Sequence, residues 1–317
     1  MPNWRYTHGL HDLGAGGWAW LQPDGGWGWS NAGLIESDGE ALLVDTLMGV
    51  GLTKDMLAAM RASIPAAAKI DRLVNTHSNV DHTLGNQVMA GAEIIAAAET
   101  AKAIAAFDPA SLADVAAWEQ RGEAGDFFLE TMGRRFDFTG VVTTAPTRTF
   151  ERELAVQVGA KTVQLTNLGP AHTEADTIVY VPADKVVFTG DLLFNEGHPI
   201  VWDGPIANWI AACDHIVGLE VETVVPGHGP ITDKQAVRNL KGYFEFVLRE
   251  AKQRLDAGMG WEEAGNDIAL DGFRGWGEAE RIVANVRAAY RDLGGDVHGG
   301  AGGVFGAMQR YRRAHAH

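Results

Sequence analysis

Between residues 76 and 82 the chain reads Thr-His-Ser-Asn-Val-Asp-His, which places two imidazoles (His77, His82), a carboxylate (Asp81) and a carboxamide (Asn79) within six positions. The run follows directly on an apolar stretch, 70–74, that reads as a strand. Metal binding is the chemistry that gathers such groups at a strand end. Imidazole and carboxylate suit zinc, or iron with a slightly different balance of donors.

Three further segments repeat the arrangement of a strand followed at once by a His or an Asp. They are Gly169-Pro170-Ala171-His172-Thr173, Val187-Phe188-Thr189-Gly190-Asp191 and Val224-Val225-Pro226-Gly227-His228-Gly229. Loops at strand ends are where a rigid scaffold presents functional groups. A lone His is more often a satisfied core or surface residue. Here four of the eleven histidines (His77, His82, His172, His228) fall at such ends and are joined by two aspartates, so the bland explanation fails.

In order and separation these motifs resemble those of the metallo-β-lactamase-fold metallohydrolases, over roughly residues 30 to 232. The resemblance implies an α/β chain folded as a four-layer αββα sandwich with metals at one edge. Carried over position by position, it implies that His77 and His172 hold a first metal, that Asp81, His82 and His228 hold a second, and that Asp191 bridges them. The family's first motif is His-x-His-x-Asp-His, so Asn79 stands where a third ligand of the first metal belongs. A neutral amide oxygen is a weaker donor to zinc than imidazole and suits harder metals better. Three states stay open: a dinuclear centre with a looser first site, a mononuclear centre at the second, and a degenerate site without catalysis. The cofactor expected is Zn²⁺, one or two per chain, with iron as the alternative. In the family's chemistry a water on the metal is acidified to a pKa of about 7 and attacks an electrophile. Asp81 is then the residue to orient or deprotonate it. His198, seven residues beyond Asp191, is a candidate to protonate a leaving group or bind a polar substrate group; a plain loop histidine is the other reading. Thr173 and Asp176 either fix the ligand His172 in orientation or merely form its turn.

The elements that must position these groups follow from periodicity. Strands are expected at 33–36, 41–45, 69–75, 91–98, 147–150, 154–158, 161–167, 177–181, 185–189 and 221–226, with an amphipathic helix at 53–62. Trp18, Trp20, Trp27 and Trp29 flank Pro23-Asp24-Gly25-Gly26 and suggest a β-hairpin around that turn. Its rings read as core packing or as an aromatic wall beside a substrate. Residues 100–140 turn Ala-rich and then aromatic, a long helical insert of the kind that serves as a lid. The catalytic domain is thus expected at 1–233. A C-terminal helical extension at 234–317 carries long helices at 235–257 and 278–293. Its apolar stripe must cover the sandwich, roof the site or form a homodimer interface. His315 and His317 read as a solvated tail.

Composition narrows the function. A net charge of −15 argues against a polyanionic partner, because nucleic-acid binding neutralises phosphates with Lys and Arg. Cys213 is the one cysteine, so no internal disulfide forms. Residues 1–10 lack the pattern of a signal peptide and no run is long enough for a membrane span, so a cytoplasmic protein without membrane partners is expected. That also weighs against a secreted β-lactam-cleaving enzyme. The expectation is therefore a zinc-dependent hydrolase of an ester, lactone or thioester (an esterase or lactonase) in a small hydrophobic molecule. The rivals are a mononuclear iron oxygenase of the same fold acting on a thiol or persulfide, and a non-catalytic ligand-binding member.

Overall fold

The computed structural model of the chain describes residues 4–298 and 301–315. Strand alternation builds its layers. In β3 (Ala32–Ser37) and β4 (Glu40–Val44) successive side chains face opposite ways. Leu34 and Leu43 turn outward onto Met56, Leu57 and Met60 of helix α1 (Val50–Ser63). Ile35, Leu42 and Val44 turn inward, against Val163, Leu165, Val179 and Phe188 of the second sheet.

The first sheet has seven strands in chain order: β1 (Gly9–Gly14), β2 (Gly17–Leu21), β3, β4, β5 (Arg72–Val74), β6 (Glu93–Ala97) and β7 (Arg148–Phe150). It is antiparallel up to β4 and parallel beyond. The second consists of β8 (Glu153–Val158), β9 (Lys161–Asn167), β10 (Thr177–Val181), β11 (Val186–Phe188) and β12 (Thr223–Val225), in the order β12-β11-β10-β9-β8. Only β11 and β12 run parallel there. Parallel neighbours deliver their C-terminal ends to one edge. The chain therefore emerges from β4 and β5 side by side, and from β11 and β12 side by side; three of the four motifs lie on the exits of β5, β11 and β12, and the fourth, with His172, lies in the loop that joins β9 to β10.

Helices cover both outer faces, giving the α/β four-layer αββα arrangement expected from the sequence. A single turn, α2 (Val80–Thr83), follows β5. The insert contains α3 (Ala98–Ala106), α4 (Ala110–Ala113), α5 (Val115–Glu119) and α6 (Glu123–Phe128). The outer face of the second sheet is covered by α7 (Ile206–Gly218) and α8 (Lys234–Asp256). Beyond them come α9 (Trp261–Asp267), α10 (Arg281–Asp292) and α11 (Ala301–Ala314). Helix α8 starts at Asp233, whose carboxylate accepts from Gln235 N at 2.7 Å. It buries Leu240, Tyr243, Phe244, Val247 and Ala251, a one-faced stripe. Those side chains share one core with Ile178, Tyr180 and Val187 of the sheet and with Trp209 and Cys213 of α7.

Two expectations need correction. The hairpin is β1–β2, with Leu10 opposite Trp20 and Asp12 opposite Trp18; the segment 22–31 is a loop. Pro23 lacks a ladder N–H, and Gly25 and Gly28 sit at φ +79° and +78°, outside the extended region of a regular strand. Trp27 and Trp29 therefore leave the sheet. His315 is exposed, as expected, but not on a loose tail: it directly follows α11 and stacks on Tyr311 with ring centroids 4.0 Å apart, while His317 lies outside the described residues. Helix α7 was not foreseen. Among the described residues no helix is long and apolar enough to cross a membrane.

Candidate metal centre

Four imidazoles and two carboxylates meet where the two sheets deliver their strand ends. His77 follows β5, and Asp81 and His82 lie on α2. His172 precedes β10, Asp191 follows β11 and His228 follows β12. All are buried. They form two groups, His77–His172–Asp191 and Asp81–His82–His228, in each of which the donor atoms lie within 4.8 Å of one another. Asp191 Oδ2 is 3.2 Å from His172 Nε2, 3.5 Å from His228 Nε2 and 3.7 Å from His77 Nε2, and its Oδ1 is 3.1 Å from His82 Nε2. Asp81 Oδ2 lies 3.3 Å from His228 Nε2. Asp191 thus stands between the two groups.

Every one of these histidines is tied down through Nδ1. His82 Nδ1 donates to Asp45 Oδ2 at 3.0 Å. His77 Nδ1 is 2.9 Å from the Thr76 hydroxyl, which donates to the same Asp45 oxygen at 2.7 Å. His172 Nδ1 donates to Ile200 O at 2.7 Å, and His228 Nδ1 to Gly25 O at 3.0 Å. Such outer bonds fix the ring orientation, so that in the neutral imidazole the Nε2 lone pair is aimed inward. His77 Nε2, His82 Nε2 and Asp191 Oδ1 make no well-aligned hydrogen bond, the 3.1 Å approach between the last two included, although buried polar atoms are almost always paired. The donor types, their convergence and these three unpaired atoms fit divalent cations.

Charge agrees. Burial opposes ionisation of Asp191, yet His228, His82 and the other imidazoles outweigh it and hold its carboxyl well below the usual range. Burial is likewise overcome for Asp81, which His82 and His228 bring down to about 2. Burial disfavours charge on His82 and His228 too, but the carboxylates prevail, raising His82 well above its ordinary value and His228 to about 9. Burial keeps His77 and His172 below theirs.

Asn79 lies in the same cluster, its amide 2.8 Å from His172 Nε2. Which amide atom faces the imidazole is set by the hydrogen-bond network, and a metal would favour the oxygen. Backbone geometry helps seat the bridging carboxylate: a Cβ on Gly227 would meet Asp191 Oδ1 at 2.0 Å, so only glycine fits there. Asn31 holds this loop, donating from Nδ2 to Pro226 O at 3.0 Å and Gly229 O at 2.8 Å. Asp176 accepts from Ala171 N, Thr173 N and the Thr173 hydroxyl, shaping the turn that carries His172. Its burial pushes its carboxyl up to about 7.

The centre forms the floor of a cavity of about 540 Å³. Ser78, Asn79, Asp81, His172, Asp191 and His228 line its base, and Trp27, Phe107, Trp118, Phe128, Trp202 and Phe305 its walls. The insert and the C-terminal helices thus both contribute to the walls. His198 is corrected: it does not line the cavity. Its ring is fully buried 5.2 Å from Tyr243 and 5.8 Å from Trp276, centroid to centroid, and burial drops it to about 4. Sequence reasoning missed Asp45, whose φ of +61° at the end of β4 turns its carboxylate to Thr76 and His82. In sequence Asp45 is an ordinary strand-end aspartate 31 positions before the motif, so only the parallel pairing of β4 with β5 brings it there. Sequence reasoning also missed Arg281, which lines the cavity from α10.

Residues 25–228 match the sequence model of the metallo-beta-lactamase superfamily, and the chain belongs to that superfamily. Its members are typically metal-dependent hydrolases. The 2,4-dinitroanisole O-demethylase subunit alpha of Nocardioides sp. (strain JS1661) is 26% identical over 198 residues, 61% of this chain and 51% of that protein. The stereoselective inverting sec-alkylsulfatase Pisa1 from Pseudomonas sp. has a similar structure, with a TM-score of 0.65 at 16% identity over 90% of this chain and 50% of that one. A metallo-beta-lactamase from Pontibacter korlensis superposes with a TM-score of 0.54 at 18% identity, covering 74% of this chain and 99% of that one. The chain spans about half the length of the demethylase subunit and of the alkylsulfatase.

Proposed function

We propose that the protein is a zinc-dependent hydrolase of an ester, lactone or thioester bond in a small hydrophobic organic molecule. The observation that carries this reading is the convergence of four Nε2 atoms and two carboxylates at the floor of an aromatic cavity. His77, His172 and Asp191, with Asn79 as a weak fourth donor, would hold one cation, and Asp81, His82, His228 and Asp191 the other. A cation there supplies Lewis acidity, acidifying a water and polarising the scissile carbonyl.

The chain's own groups do the rest. Asp81 stays ionised at neutral pH and lines the cavity, so its carboxylate accepts a hydrogen bond from an incoming water and orients it. Trp27, Phe128 and Trp202 exclude bulk water and receive an apolar or aromatic body. The demethylase relative adds aryl methyl ethers to the substrates worth trying. The test is elemental analysis of protein purified without added metal or chelator, followed by a panel of esters, lactones, thioesters and anisoles. Near two zinc ions per chain is expected, with hydrolysis abolished in His82→Ala and Asp191→Ala. Turnover that survives both substitutions would sink the reading, and a single iron with oxidation of thiols or persulfides would replace it.

A further inference from the structure

Among the described residues, one buried cation faces the same cavity without an ion-paired carboxylate. Arg281, the first residue of α10, is 2% exposed and lines the cavity together with Asp191 and His228. Its Nη1 donates to His198 O at 2.9 Å, while its Nε has no hydrogen-bond partner. Among the described residues no carboxylate forms an ion pair with it; the adjacent Glu280 accepts instead from the Trp27 indole N–H at 2.8 Å. The guanidinium lies between two rings, 4.2 Å from the Trp27 centroid and 5.1 Å from that of Phe194. Phe194 in turn stacks on His228, with centroids 5.0 Å apart and planes 6° apart. One phenyl ring therefore separates the guanidinium from a candidate metal ligand.

Burial of a charge is unfavourable unless it is paired, and arginine cannot shed its proton to escape. The flanking rings offset part of that penalty through their π faces. They leave donors of a rigid fork unused, and the fork matches an oxyanion. The charged residues of the cavity are Asp81 and Asp191, which belong to the metal centre, and two arginines, Arg281 in the interior and the exposed Arg121. In a chain of net charge −15, a cavity whose uncommitted charges are all positive is selective for anions.

We propose that Arg281 is a binding subsite for an oxyanion carried by the substrate. The molecule acted on is then an amphipathic acid: an apolar or aromatic body held by the cavity walls, with a carboxylate-type anion beside Trp27. The word substrate rests on the hydrolase reading above; the subsite itself does not.

The test is calorimetric titration of the metal-loaded protein with naphthalene-2-carboxylate, naphthalene-2-sulfonate and the uncharged naphthalene-2-carboxamide. Wild type is expected to bind the carboxylate about tenfold or more tighter than the carboxamide, the advantage of a charge-assisted pair. Arg281→Met should lose that preference and Arg281→Lys should keep part of it, with circular dichroism confirming the fold. Equal binding of acid and amide by wild type overturns the proposal. So does a preference that survives in folded Arg281→Met, which would place the anion on the metals or on Arg121. If Arg281→Met fails to fold, the wild-type comparison and the partial loss in Arg281→Lys decide. Equal affinity for sulfonate and carboxylate assigns the subsite to oxyanions in general; a carboxylate preference assigns it to planar ones. Hydrolysis of neutral esters without any preference for acids sinks this inference and spares the hydrolase reading, whereas anion preference without hydrolysis does the reverse.

Discussion

One carboxylate, Asp45, orients two of the four imidazoles, directly for His82 and through Thr76 for His77. Asp45→Asn replaces an acceptor with a half-donor and should weaken metal binding about 10- to 100-fold, read by competition with a chromogenic chelator. Asn79→His supplies the imidazole that the first motif lacks. We expect it to raise metal retention after dialysis, counted by elemental analysis, whereas Asn79→Ala should lower it. His198 yields a prediction in pH. Its folded value of about 4 lies below the ordinary 6.5, so the unfolded state binds more protons in that interval. Its contribution to stability is complete above pH 6.5 and declines as pH falls toward 4, by about 3 kcal/mol. His198→Phe keeps a ring between Tyr243 and Trp276 and should flatten denaturation midpoints over that window. At this scale the sequence was informative where chemistry is local. The ligand positions are legible because each follows a strand directly. Asp45 and Arg281 were not, because an Asp at a strand end and an Arg on an amphipathic helix look the same whether or not the fold brings a histidine or a cavity to them.

Among the elements, α11 and the insert depend on each other. Phe305 stacks on Phe127 with centroids 5.4 Å apart and meets Trp202 at 5.9 Å. Around it Arg310 pairs with Glu123 and Glu262, and Arg313 with Asp126 at 2.8 Å. These exposed ion pairs contribute little individually. We expect Arg310→Ala to shift stability by less than about 1 kcal/mol, measured by urea unfolding. Phe305→Ala, which removes a piece of cavity wall, should raise KM more than it lowers kcat. A chain ending at Asp233 would keep α7 but lose α8 and the helices beyond it, uncovering part of the core that contains Ile178, Val187 and Trp209, and should be recovered as aggregate. Most strands were legible from their alternation. The 22–31 loop was misread because turn residues between tryptophans look like a hairpin, and only its bonds to the 226–229 loop, about 200 positions away, make it something else. Helix α11 was hidden by the glycines at its start.

For the molecule as a whole, the candidate metal centre is a joint between the sheets: His77, Asp81 and His82 come from the first, Asp191 and His228 from the second. Chelation should therefore lower the melting temperature of the entire chain in one transition, with recovery on adding zinc, because a ligand that binds only the folded state stabilises all of it. The sources of the floor and the walls are distinct. The candidate metal ligands sit on exits from the two sheets, while the walls come from loops, an insert and helices that contribute none of them. Substitutions in the insert and in α11 can thus accumulate and be screened with little disturbance of the reactive groups, unlike those in the 22–31 loop that holds His228, which makes this chain a practical starting point for directed evolution of what it admits.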